Sequence, residues 1–364
     1  MADKLKIVLF EDTPASRSVI LEALKQHVGQ EGDAIAFEQG LVHESADDQE
    51  KMYEERLIKI LRTEPYKDAS LILADRDLSK TVETNFRGLS VNAVAAAAKK
   101  LSIPLCSYAR GVSVEEYDWR GRWQEEHIVL HLSEGEDELG RRATLAAEGF
   151  AHIASEVPKF LNNKSLNSPA ALLAAVLGKD EYADKIALYA VGDQNRLPDI
   201  PKEGRQAKDL IPRLTLLLGY WLWDSLLRYP GVFVNQIAAG SYLDINGEDF
   251  EMEKIQEIFD EGLYDGPFAD IKRPQWWRGV LDDIIAHSGC NSGLEFALKK
   301  GLDNVRRSEC YVDSTKRAGY YCIIAQRPVS LENSKGGLSW FPRGADLTRI
   351  GNPKFEEYGP WLGT

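Results

Sequence analysis

Along the first 160 residues, short unbroken apolar runs alternate with longer stretches of helical period. Lys6 to Phe10, Leu71 to Ala74, Ile103 to Ser107 and His127 to Leu132 are the apolar runs, and Ala34 to Phe37 is a shorter one. Such runs, bounded by polar turns, predict strands buried on both faces of a parallel sheet. Between them, Val19, Ile20, Ala23 and Leu24 recur at helical spacing. Thr13 is placed to cap that helix and Pro14 to open it. Residues 43–63 read as a charged helix with a solvated face and with Ile58, Ile60 and Leu61 late in the run, Val91 to Ala98 as another, and Glu136 to Phe160 as a last one. The alternation predicts an α/β domain over residues 1–160, with a polar connection following it.

A second, helix-rich α+β domain is expected over 168–364. Pro169 to Leu177 reads as a helix stopped by Gly178, and Lys185 to Tyr189 fits either a strand or a helix. Leu214, Leu217, Leu218, Trp221, Leu222, Leu226 and Leu227 predict one long apolar helix over 207–229, its tryptophans packing in a core. Val232 to Asp244 and Phe250 to Phe259 continue at helical spacing, and Tyr320 to Ala325 reads as a buried strand. The pair around residues 234–260 faintly matches a helix-turn-helix. Its second helix, Glu251 to Asp260, is acidic, which repels a phosphate backbone and suits protein contact instead.

The net charge of −13 argues against a general nucleic-acid coat. No run approaches the roughly 20 apolar residues of a membrane span. Four scattered cysteines give no disulfide framework, and the first strand begins at once after Met1-Ala2-Asp3-Lys4 with no leader pattern. A cytoplasmic, membrane-free protein is expected.

Candidate chemistry sits where two strands end. The first runs into Glu11-Asp12 and the third into Asp75-Arg76-Asp77. In open α/β sheets, ligands gather beyond the carboxyl ends of strands. If the two strands are neighbours, Glu11, Asp12 and Asp75 converge, and such a cluster suits a hard cation such as Mg²⁺.

With these residues, Ile7 to Asp12 and Leu71 to Asp75, the chain resembles the receiver (CheY-like) domain of two-component response regulators. The resemblance implies a doubly wound, flavodoxin-like parallel sheet. It implies that Glu11 and Asp12 hold Mg²⁺ together with Asp75, that Asp75 accepts a phosphoryl group from a histidine kinase or phosphotransfer protein, and that Ser107 is a switch hydroxyl. The function it implies is a signal-responsive phosphoprotein whose C-terminal region meets a protein partner or a second copy of the chain. The family's lysine after the fifth strand is replaced by Ser133-Glu134-Gly135, so a receiver-like fold retained for docking is a further reading. The aromatic segment Tyr117, Trp119 and Trp123 stands where receivers carry their fourth helix and is expected at an interface.

A rival resemblance is to haloacid-dehalogenase-type phosphohydrolases. There Asp75 would be the nucleophile, Asp77 the general acid and Ser107 the second motif, with Ala190-Val191-Gly192-Asp193 as the last motif and Lys179 or Lys185 as the lysine. It gives Glu11 and Asp12 no role. A non-catalytic interaction scaffold is the third reading. His287, Cys290, Cys310 and Cys322 supply zinc-ligand types without a Cys-x-x-Cys pair, so buried free thiols are expected.

Overall fold

The computed structural model describes residues 4–30, 32–38, 49–78, 89–109, 127–132, 134–161, 168–190, 210–271 and 274–359. Residues 80–88, the aromatic segment of Tyr117, Trp119 and Trp123, and residues 191–193 lie outside them. The chain divides into two compact units, residues 1–162 with 203–220, and residues 163–202 with 221–364.

In the first unit, strands β1 (Lys6–Phe10), β2 (Asp33–Ala36), β3 (Leu71–Asp75), β4 (Leu105–Ala109) and β5 (Ile128–His131) form one sheet. Its order is β2-β1-β3-β4-β5, and every neighbouring pair is parallel. Helices α1 (Pro14–Val28), α2 (Gln49–Leu61), α3 (Val91–Leu101) and α4 (Glu136–Leu161) connect or follow the strands.

The apolar runs explain the sheet. Ile7 to Phe10 and Leu71 to Ala74 have no exposed surface, as strands covered on both faces require. Val8, Phe10, Ile72 and Ala74 share one core with Leu57, Ile58 and Leu61 of α2 and with Val94, Ala97 and Ala98 of α3. Alternation sends Ile7, Leu9, Leu71 and Leu73 to the opposite face. There α1 and α4 pack on each other and on the strands.

Local chemistry sets the helix ends. Thr13 stands extended at the N-cap position but makes no side-chain cap hydrogen bond, its hydroxyl donating to Asp12 instead, and Pro14 opens α1 with its φ already fixed. Ile20, Ala23 and Leu24 are buried as expected, whereas Val19 is 52% exposed. Three residues complete the buried stripe, and Val19 falls just outside its arc. Ser90 caps α3, its hydroxyl accepting the Ala93 N–H at 3.2 Å. A last helix, Leu210–Trp221, supplies Tyr220 to this unit. The Tyr220 hydroxyl accepts the Leu105 N–H at 2.9 Å, at the start of β4.

The second unit is helix-rich, with a two-stranded antiparallel ladder and a mixed four-stranded sheet. Its core gathers Val234, Leu243, Phe250, Phe259, Trp276, Leu281 and Phe296. Trp221, Trp223, Trp276 and Trp277 are all buried, so they serve as packing residues. Several expected elements differ. The α-helix from Leu210 ends at Trp221 and continues as a π-helical turn, Leu222–Leu226. Within the expected helix 232–244, Phe233–Asn235 is a strand paired to Gln275–Trp277, and the helix is Gln236–Leu243, capped by Asn235. The acidic stretch keeps only a short helix, Glu253–Glu257, and Lys185 lies in another, Ala183–Ala187. The strand at Tyr320 stops at Cys322. All four cysteines are free.

Candidate metal centre

Register builds the site. Phe10 pairs with Ala74, Ala74 with Ser107, and Asp75 with Tyr108. Carried one residue further, Glu11, Asp75 and Tyr108 form a single row across the carboxyl ends of β1, β3 and β4. Consecutive residues alternate sides of a sheet, so members of one row project together. Asp12 is brought alongside by the turn into α1.

Glu11 and Asp12 are 0% and 2% exposed, and Asp75 is 7% exposed. One carboxylate oxygen from each lies within 4.8 Å of the other two, the one such group among the described residues. At that separation and an effective dielectric of about 20, each pair of ionised carboxylates repels by about 3–4 kcal/mol. The fold offsets part of this with donors. Glu11 Oε1 accepts the Thr13 N–H at 2.9 Å, and Glu11 Oε2 accepts the Tyr108 hydroxyl at 2.6 Å. Asp12 Oδ1 accepts the Thr13 hydroxyl at 3.3 Å. Asp75 Oδ1 accepts the Asp77 N–H at 3.0 Å, closing the turn after β3. The amino end of α1 begins two residues beyond Asp12, and its dipole favours nearby negative charge. Oxygen-only ligands, closely spaced and anionic, fit Mg²⁺ or Mn²⁺ rather than a thiophilic ion.

Glu11, Asp12 and Asp75 are therefore brought together as the strand ends implied. Ser107 is fully buried but belongs to the row of Ala74, one step behind the carboxylates. Its hydroxyl has no hydrogen-bond partner among the described residues. Asp77 touches the centre through its backbone N–H, which orients Asp75. Lys179 and Lys185 belong to the second unit. His287 and the cysteines form no ligand cluster among the described residues.

Tyr108 is the residue that sequence reading missed. Its signal was a polar-tipped aromatic next to Ser107 at the end of an apolar strand, but only the register shows which side it faces. No described helix is long and apolar enough to cross a membrane. No protein-family model, curated protein or solved structure matches the chain.

Proposed function

We propose that the first unit is a receiver-like, doubly wound domain, and that the protein is a signal-responsive regulator whose phosphoacceptor is Asp75. The observation that carries this reading is the buried row of Glu11 and Asp75, with Asp12 beside it, at the ends of adjacent strands. Support also comes from the strand order, which is the flavodoxin-like one with its switch point between β1 and β3. A ligand site is expected at that crevice, where successive connections leave in opposite directions.

In this reading Asp75 attacks the phosphorus of a phosphohistidine on a histidine kinase or phosphotransfer protein. A P–O bond to the carboxylate forms, the P–N bond breaks, and its electron pair stays on the imidazole. A bound Mg²⁺ supplies neutralising charge for the phosphoryl oxygens. Glu11 and Asp12, held by Thr13 and Tyr108, fix the carboxylates for it. The second unit is the output, contacting a protein partner or a second copy of the chain.

The test is incubation of the intact protein with acetyl phosphate and Mg²⁺, read by mass spectrometry. One phosphoryl group should add, stable to acid and labile to base. It should be lost in Asp75→Asn and kept in Asp77→Asn. Sustained turnover of a phosphate ester, lost in both variants, would replace this reading with the phosphohydrolase. Ion binding without an adduct would leave a docking module that has lost its chemistry.

A further inference from the structure

We infer that Tyr108 is a positioning residue of the carboxylate centre, setting which oxygens of Glu11 are presented to a divalent cation; this rests on the metal reading above. Three observations carry it. Tyr108 has no exposed surface, and it stands in register with Asp75. Its hydroxyl donates to Glu11 Oε2 at 2.6 Å. Glu11 follows β1, which is not a neighbour of β4, because β3 lies between them.

Two strand spacings separate β1 from β4, roughly 10 Å. A tyrosine side chain is long enough to span most of that distance, and in doing so it passes across the strand end that bears Asp75. The phenol thus ties the two flanking strands together over the reactive carboxylate. Its chemistry also suits the place. A lysine or arginine would hold Glu11 by bringing a positive charge, and that charge would compete with a cation for the same carboxylates. A neutral hydroxyl orients Glu11 without bringing a competing charge of its own. Thr13 N–H, in the turn that leads into α1, fixes the other oxygen, so β4 and this turn together set the plane of the carboxylate. A carboxylate offers about four lone-pair sites, more than these two donors take up. Partners that orient a ligating carboxylate in this way typically contribute 10–100-fold to metal affinity.

The experiment is titration of the intact protein with Mn²⁺, followed by the paramagnetic signal of the free ion, with thermal melts of each protein without ion. Tyr108→Phe should bind Mn²⁺ about 10–100-fold more weakly than the unaltered chain. Tyr108→Phe added to Glu11→Gln should cost no further affinity, because the two act through one contact. Equal affinity in Tyr108→Phe and the unaltered chain overturns the inference while leaving the metal reading in place. No Mn²⁺ binding to the unaltered chain overturns the metal reading, and the inference with it. Should Tyr108→Phe fail to fold, the unaltered chain labelled with 3-fluorotyrosine supplies the answer. One fluorine resonance among the 14 tyrosines should shift saturably with Mg²⁺, and a spectrum with no shifted resonance overturns the inference.

Discussion

At the scale of single residues, the proposed ion site and the stability of the ion-free fold should oppose each other. Glu11, Asp12 and Asp75 are buried within 4.8 Å of one another, so removing one charge removes two repulsive pairs. Asp12→Asn should therefore raise the ion-free melting temperature, by the equivalent of about 1–3 kcal/mol once the pairwise repulsion is screened. The same change should abolish the stabilisation by Mg²⁺. In the unaltered chain that stabilisation should follow RT ln(1 + [Mg²⁺]/Kd), about 2.7 kcal/mol at a hundred times Kd. Thermal melts with and without tens of millimolar Mg²⁺ read both effects. A melting temperature that falls in Asp12→Asn, or that ignores Mg²⁺ in the unaltered chain, would mean that neighbouring donors already satisfy the cluster. The carboxylates were legible in the sequence because they follow directly on two unbroken apolar runs. Ser107 and Tyr108 were not separable there. Which of two adjacent residues faces a site depends on register to the next strand, and register is a relation between distant segments.

At the scale of elements, the sheet was legible for a simple reason. A strand buried on both faces needs apolar side chains at every position, and Leu71 to Ala74 leaves no other reading. The second unit was less legible because its elements are short. Phe233–Asn235 spans three residues, too few for a period of 2 to show against 3.6. The register of α1 against α4 also escaped the sequence, and it turns on one glycine. A Cβ built on Gly140 would lie 2.9 Å from both the carbonyl carbon and the Cβ of Ala23. These are backbone and near-backbone atoms, so the helices must part to admit it. Gly140→Ala gains roughly 0.5–1 kcal/mol of helix propensity. Overpacking costs typically 1–3 kcal/mol. We expect the second effect to win, with a net loss of about 1–2 kcal/mol in urea unfolding. A variant as stable as the parent would show that α1 and α4 can slide apart freely.

At the scale of the whole molecule, the chain passes between its two compact units at 162–163, 202–203 and 220–221. The first unit is therefore not a simple N-terminal half. Residues 203–220 return to it after a stretch that belongs to the second. Within the first unit, Gly219 lies so close to Phe150 that an added Cβ would fall 2.3 Å from the ring. Tyr220 meets the same ring edge-on, with centroids 5.3 Å apart, and its hydroxyl receives the Leu105 N–H. A fragment ending at residue 162 keeps the whole parallel sheet but uncovers Phe150, which is 2% exposed in the intact chain. It also leaves the first N–H of β4 without its tyrosine. Such a fragment should fold, since β1, β3, β4 and their helices are all present, but it should melt below the intact first unit. Adding a peptide of residues 203–220 should raise its melting temperature in proportion to the logarithm of peptide concentration. In the full chain, Tyr220→Phe should cost about 1–3 kcal/mol by leaving the Leu105 N–H unpaired. A fragment that melts no lower than the intact first unit and ignores the peptide would show that 203–220 contributes nothing to that unit. A fragment that responds to the peptide would show that this returning segment completes the first unit at Phe150 and at the start of β4.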